Sequence, residues 1–414
     1  MTVFLKGLWS KAPARRAIAG LGVIALLAEL GYATMNQSAL QPYVVKELKL
    51  SAGWLGWILA TFLLVEALFR PALGALGDRV GRRPLLIAGP IASCAAAFLT
   101  ARAVDPAALI SLRILDGLGA AAIWPTAFAL VGDTVDEKNR SVAMSVLNVT
   151  YMAGIALGPL VGGAVSEYTG SERYVFYTIG GMFALTVIIA LAAIPKRTAP
   201  HRHETHLEEP QPIHLSSLLY SLRAIPEMLA MVFFAFGGVG VLIPIVKLYA
   251  MDELGLTEKG YGWLLLPAAA TLAVLAMPLG RLGDKWGKVR SVRLGVLIAA
   301  TAMWVIATTR AQPALVLGGS LLGVGFLMAM PAWLALISEM TSSSRRGEIL
   351  GTVGMAQGLG AILGAIVGGH MYEGSISVPF VQAHSAPLVL SAIMLSVSTI
   401  LTFIFLRRKP TVQK

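Results

Sequence analysis

Twelve runs of about twenty apolar residues succeed one another along this chain, and no other feature limits its folding so strictly. They fall near 17–39, 53–74, 84–103, 107–132, 141–165, 174–195, 227–249, 260–280, 291–309, 313–338, 348–371 and 385–406. A bilayer core of about 30 Å is crossed by roughly 20 helical residues. Inside it, backbone groups have no water to bond, so a run of this length is expected as a helix. The 414 residues are 56% hydrophobic and 13% charged. Soluble domains run nearer 45–50% apolar and about 25% charged, so this surplus has no place in a water-soluble core. An all-α membrane protein of twelve transmembrane helices is expected.

The polar residues between the runs set the orientation. Counting loops alternately, 24 Lys and Arg fall on the side of the two termini and 6 on the other, with Arg70, Arg113 and Lys247 inside runs. Basic loops stay in the cytoplasm, so both termini are expected there, in a bacterial cytoplasmic (inner) membrane. This accounts for the net charge of +11 without nucleic acid. The basic N-terminus with its apolar run has the outline of a signal peptide, but Glu29 interrupts the run and eleven more follow, so a retained first helix is expected. The expected segments are a cytoplasmic arm (1–16), a first six-helix bundle (17–195), a cytoplasmic linker (196–226), a second bundle (227–407) and a tail (408–414). The linker carries His201, His203, His206 and His214, read as solvated residues rather than a metal site. Cys94 is the one cysteine. No metal, no cofactor and a monomer are expected.

The two bundles repeat one plan at a constant offset of 206 residues. Trp57 maps to Trp263. Gly74, Asp78 and Gly81 map to Gly280, Asp284 and Gly287. Asp133 maps to Glu339, and Gly154, Gly158 and Gly162 map to Gly360, Gly364 and Gly368. Six spans per repeat keep both halves in the same orientation, as parallel repeats about the membrane normal. The fold is therefore expected as two pseudo-symmetric six-helix bundles.

The stretch G-A-L-G-D-R-V-G-R-R-P (74–84), echoed by G-R-L-G-D-K-W-G-K (280–288), resembles the signature loop of the major facilitator superfamily. R-I-L-D-G-L-G-A (113–120) is similar to that superfamily's R-x-x-Q-G-x-G-A, with Asp116 where the pattern has Gln. G-I-A-L-G-P-L-V-G-G (154–163) resembles the motif of its twelve-helix drug:proton antiporters, and so implies export. In the signature loop, Asp78 is expected to accept from free N–H groups at a helix start. Arg79, Arg82 and Arg83 are expected to reach acids on neighbouring helices, Asp133 among them, and so to latch the halves. In the fifth run, Gly154, Gly158 and Gly162 share one helix face and permit close packing. Gly163 extends that small-residue segment, and Pro159 removes a backbone bond.

Ionisable groups at membrane depth are functional candidates by default. Glu29, Glu66, Arg70, Arg113 and Asp116 fall there. Glu66–Arg70 and Arg113–Asp116 are spaced to meet on one helix face. Three acids against two bases leave one acid over, and a carboxylate without a basic partner in an apolar setting takes up protons more readily. Glu29, with no base within a turn, is the first candidate for proton exchange and Asp116 the second. The resemblance gives Arg113 the role of modulating that acid. The competing reading is that these are static helix-locking pairs. Lys247 and His370 lie near span ends and are expected to snorkel.

The second half offers an apolar cavity instead, with Phe233, Phe236, Trp333, Met355 and Gln357 facing Trp124, Asn148 and Tyr151. Met and aromatic side chains adapt to varied ligands. A proton-coupled exporter of lipophilic or amphipathic compounds, working by alternating access, is the expected function. Export of a specific metabolite such as a sugar, siderophore or amino-acid derivative stays open, as do lipid or glycolipid flipping and, remotely, a non-transporting receptor. No nucleophile–base set, metal cluster or phosphate loop points to an enzyme.

Overall fold

The computed structural model describes residues 12–135, 137–194, 225–340, 346–373 and 383–406. The linker with its four histidines, most of the N-terminal arm and the tail lie outside the described residues, as do the surroundings of Gly280 and the side chain of Asp284. The described residues are helical throughout, without strands. The twelve long helices are α1 (Ala12–Thr34), α2 (Ala52–Val80), α3 (Arg82–Thr100), α4 (Pro106–Thr134), α5 (Glu137–Thr169), α6 (Glu172–Ala193), α7 (Pro226–Leu242), α8 (Glu258–Trp286), α9 (Lys288–Thr308), α10 (Gln312–Met340), α11 (Arg346–Glu373) and α12 (Ala386–Phe405). Among the described residues eleven spans are long and apolar enough to cross a bilayer, and the run at 260–280 forms α8. Large apolar side chains such as Leu68, Ile188 and Val274 stand more than half exposed. A lipid surface accommodates them where water does not.

Helix ends follow local chemistry. Pro106 opens α4, and the Asp105 carboxylate accepts from the Ala108 N–H at 2.9 Å, a side-chain cap. Gly81 (φ 93°) and Gly287 (φ 88°) separate α2 from α3 and α8 from α9. At those dihedrals a β-carbon is strained, so each signature loop closes in a single residue.

Two expectations about span shape change. The first span does not end near 39. It continues from α1 through π-helical turns at Met35–Ala39 and Tyr43–Glu47, on either side of Leu40–Pro42. Pro42 has no N–H for an i→i−4 bond, and the chain around it takes the wider i→i−5 register. The seventh span breaks after Leu242 and resumes as Val246–Asp252. That break turns Lys247 inward, where it is fully buried, so Lys247 does not snorkel. His370 is exposed, as expected.

The chain forms two compact units. Unit 1 comprises Met1–Leu50, Thr61–His203 and Leu256–Gly262; unit 2 comprises Ser51–Ala60, Glu204–Gly255 and Trp263–Lys414. In unit 1, α1 packs on α5 and α6, and α3 packs on α4 and α6. In unit 2, α7 packs on α11 and α12, and α9 packs on α10 and α12. Each pairing in one unit has its counterpart six helices on. The repeat extends to single bonds. In unit 1 the Glu167 carboxylate accepts the Lys259 N–H in the first turn of α8. In unit 2 the Glu373 carboxylate accepts the Gly53 N–H in the first turn of α2. Both acids and both amides stand 206 residues apart. Helix starts leave such N–H groups unbonded and favour negative charge. Between spans of unit 2, Glu253 bonds Arg310 at 2.5 Å and His384 at 2.7 Å. The Arg310 hydrogen bond, followed by that from His384, holds its carboxyl below the usual carboxylate range.

Candidate functional site

The deep charges of unit 1 gather where α1, α2, α3 and α4 meet. Arg113 is 1% exposed and Asp116 0%, and they pair at 2.9 Å. Arg113 also donates to the Asn36 side-chain oxygen at 3.4 Å and lies over the Phe62 ring, 5.7 Å from its centre. Asn36 sits in the first π-helical turn. The Tyr32 and Ser93 hydroxyls bond at 2.7 Å, and Tyr32 lies within electrostatic reach of Asp116, Glu66 and Glu29. The motif glycine Gly119 leaves room for this arrangement, since a β-carbon there would fall 2.3 Å from the Ser93 oxygen.

Glu29 stands apart. It is 8% exposed and makes no hydrogen bond or ion pair among the described residues. Glu66 is ion-paired with Arg70 on α2, as the spacing predicts. Half of the Arg70 side chain is exposed, whereas that of Glu66 is mostly covered. A long side chain can carry its charge outward along the helix surface. The sequence reading did not single out Tyr32, Asn36 or Ser93. Helical spacing from Glu29 marks Tyr32 and Asn36 as neighbours on its face of α1, but nothing in the sequence pairs Ser93 with them.

The glycine stripe of α5 packs directly against this part of α1. A β-carbon at Gly154 would lie 2.7 Å from that of Glu29, and one at Gly158 2.5 Å from that of Ala33. The Thr34 hydroxyl donates to the Gly158 carbonyl at 3.0 Å. Gly162 abuts Ser38, and Gly163 abuts the Glu258 carbonyl. Pro159 lies inside α5.

At the signature loop, Arg82 pairs with Asp133 at 3.1 Å and with Asp78. Lys288 and Glu339, their counterparts at the 206-residue offset, pair likewise in unit 2. Arg83 donates to the Leu191 carbonyl at 2.9 Å, and Arg79 is exposed. One expectation changes. Asp78 binds a guanidinium rather than helix-start N–H groups, because Arg82 lies one turn away on the same face. The Arg82–Asp133 and Lys288–Glu339 pairs each join helices of one unit and so brace that unit internally.

Unit 2 contains a small apolar cavity of about 40 Å³ between α7, α9, α10 and α12. Phe236 and Trp333 line it; Phe233, Met355 and Gln357 do not. Phe233 packs on Phe234, Met355 is 45% exposed, and the Gln357 amide nitrogen is buried without a hydrogen bond. In unit 1, Trp124 and Tyr151 stack edge to face at 4.7 Å, and Asn148 is exposed.

The sequence model of the Major Facilitator Superfamily matches residues 21–239 and 228–414. The chain belongs to the major facilitator superfamily. It is a multi-pass membrane protein of a transporter family that handles small molecules. Multidrug resistance protein 1 of Bacillus subtilis is 22% identical over 340 residues, spanning 82% of this chain and 86% of that protein. The chloramphenicol resistance protein of Pseudomonas aeruginosa is 27% identical over 315 residues, 73% of this chain and 69% of that one. The class B tetracycline resistance protein of Escherichia coli is 24% identical over 335 residues, 79% and 81% of the two chains. The nucleoside transporter NupG shares the superfamily fold, with a TM-score of 0.75 over 94% of this chain and 98% of that one at 14% identity.

Proposed function

We propose that the chain is a proton-coupled exporter of lipophilic or amphipathic small molecules, working by alternating access. One observation carries this reading. Glu29 is buried without an ionic partner among the described residues, while Glu66 and Asp116 each have one. Protonating a buried carboxyl that has no counter-charge strands no partner, whereas protonating a paired one leaves its partner charged and alone. Glu66 lies within electrostatic reach of Glu29. Proton entry at Glu29 drives the return of the emptied carrier, and substrate leaves in exchange. The drug-resistance names of the relatives support export of such compounds. The excess of basic residues in alternate loops supports cytoplasmic termini in a bacterial inner membrane.

Proteoliposomes with an imposed pH gradient test this directly. Uptake of a lipophilic cation or a neutral drug is expected to follow the gradient and to lose that dependence in Glu29→Gln. Transport indifferent to the gradient contradicts the proposal. Lipid flipping is the second reading, so a fluorescent lipid belongs in the same panel. Lipid flipping without drug movement favours the flippase reading.

A further inference from the structure

The polar groups around Tyr32 are not what builds the bundle. In unit 1 a β-carbon at Gly89 would strike the Gly119 carbonyl and one at Gly119 the Gly89 carbonyl; in unit 2 Gly295 and Gly325 stand in the same reciprocal relation. Helices α9 and α10 therefore approach each other as α3 and α4 do. At the 206-residue offset, however, Tyr32, Ser93, Arg113 and Asp116 are replaced by Gly238, Ala299, Gly319 and Leu322. The close approach forms in unit 2 without a polar side chain at any of these positions. Burying polar groups is unfavourable unless they bond one another, so the set in unit 1 answers to a task other than packing.

Tyr32 stands at the centre of that set. It is 4% exposed and Ser93 0%, and either hydroxyl can be the donor in the 2.7 Å bond between them. Phe62 and Phe183 flank the Tyr32 ring, with centres 5.8 and 4.9 Å away. The ring is held, and the hydroxyl hydrogen alone can turn. Ser93 also faces the Asp116 carboxylate, whose oxygens accept no hydrogen bond of good geometry in this arrangement. On its other side Tyr32 lies within reach of Glu29, one turn away on α1, and of Glu66 on α2. Glu29 itself faces Glu66 and Tyr151 of α5, and Tyr151 lies near Arg70 as well.

We propose that the Tyr32–Ser93 hydroxyl pair is a positioning device that passes the charge state of Glu29 to the Arg113–Asp116 pair. This deepens the proton-exchange reading of Glu29 and rests on it. With Glu29 ionised, the Tyr32 O–H turns toward it and Ser93 donates to the Tyr32 oxygen. Glu66 is occupied by Arg70 in both states. With Glu29 protonated, the pull on Tyr32 is gone. Tyr32 then donates to Ser93, and Ser93 donates to Asp116. Asp116 gains a second partner beside Arg113, whose guanidinium also holds Asn36 in the first π-helical turn. One proton is bound, at Glu29; along the hydroxyl pair hydrogens only reorient, and no O–H bond breaks. Hydrogen bonds in series polarise one another, so a proton bound on α1 is felt on α4 through two hydroxyls.

Infrared difference spectra of the purified full chain in detergent test the link without any substrate. They are recorded on stepwise acidification, with isotope-labelled tyrosine to mark the phenol C–O band. In wild type the band of a protonated carboxyl is expected to appear and the phenol band to shift over the same pH range. Glu29→Gln is expected to lose both changes. Tyr32→Phe and Ser93→Ala each remove one oxygen and keep the carbon framework around it. Both are expected to keep the carboxyl band and lose the phenol shift, and either variant alone decides the point. A phenol band that stays still in wild type, or that shifts as in wild type in either variant, overturns the hydroxyl link and leaves proton exchange at Glu29 standing. A wild type with no titrating carboxyl band, or a band that survives Glu29→Gln unchanged, overturns both.

Discussion

Glu29 and Asp116 are both buried carboxylates on neighbouring helices of unit 1, and their partners give them different parts. Asp116 is closed into a pair with Arg113, while Glu29 has no such partner among the described residues. A buried ion pair adds little net stability, yet removing one member leaves a charge stranded. Asp116→Asn and Arg113→Met are each expected to destabilise the protein by about 3–5 kcal/mol. The double variant is expected to lose clearly less than the sum, in a double-mutant cycle read by denaturation in detergent. Additive losses would show that the two charges do not depend on each other. The sequence foretold this pair from its spacing, because one helix face fixes which residues meet. It did not foretell Ser93 or the inward turn of Lys247. Ser93 reaches Tyr32 across an interhelix contact set by Gly119, which spacing along one chain segment cannot show, and Lys247 turns with a helix break at Pro244, whose missing N–H does mark the break but not which way the next turn faces.

The elements of unit 1 meet through small residues, and α5 depends on them most. A valine at 158 would press on Ala33 and on the Thr34 backbone N, which lies 2.8 Å from a β-carbon built there. Backbone cannot give way as a flexible side chain does. Gly158→Val is expected to cost about 1–3 kcal/mol through overpacking, seen as a lower melting temperature in detergent, whereas an unchanged melt would mean that α1 and α5 do not pack as described. Gly351, where a β-carbon meets nothing within 4 Å, is expected to accept alanine with little effect. The loop elements of unit 2 give a pH prediction. Glu253 has its carboxyl held below the usual range by Arg310 and then His384. A lowered acid stabilises the fold above its unfolded pKa and loses that contribution as pH falls through the folded value. Melting temperature is therefore expected to decline on acidification below about pH 4.3, the unperturbed glutamate value. Glu253→Gln should flatten that decline; an identical acid limb in the variant would rule the contact out as its source.

Across the whole molecule, the repeat keeps its bracing and changes its chemistry. The pairs Arg82–Asp133 and Lys288–Glu339 match, as do the helix-start contacts of Glu167 and Glu373. Glu167→Ala and Glu373→Ala are expected to speed amide exchange at the first turns of α8 and α2 respectively, each by roughly two- to tenfold. An effect at one site only would break the equivalence. The chemical difference lies between Glu29 and its repeat counterpart Ala235. The most direct measurement is proton release when a saturating substrate is added to detergent-purified protein in weak buffer at neutral pH, followed with a pH indicator dye. Wild type is expected to release protons in proportion to substrate bound, and Glu29→Gln to bind substrate while releasing none. Equal release from both proteins would contradict the assignment of proton coupling to Glu29.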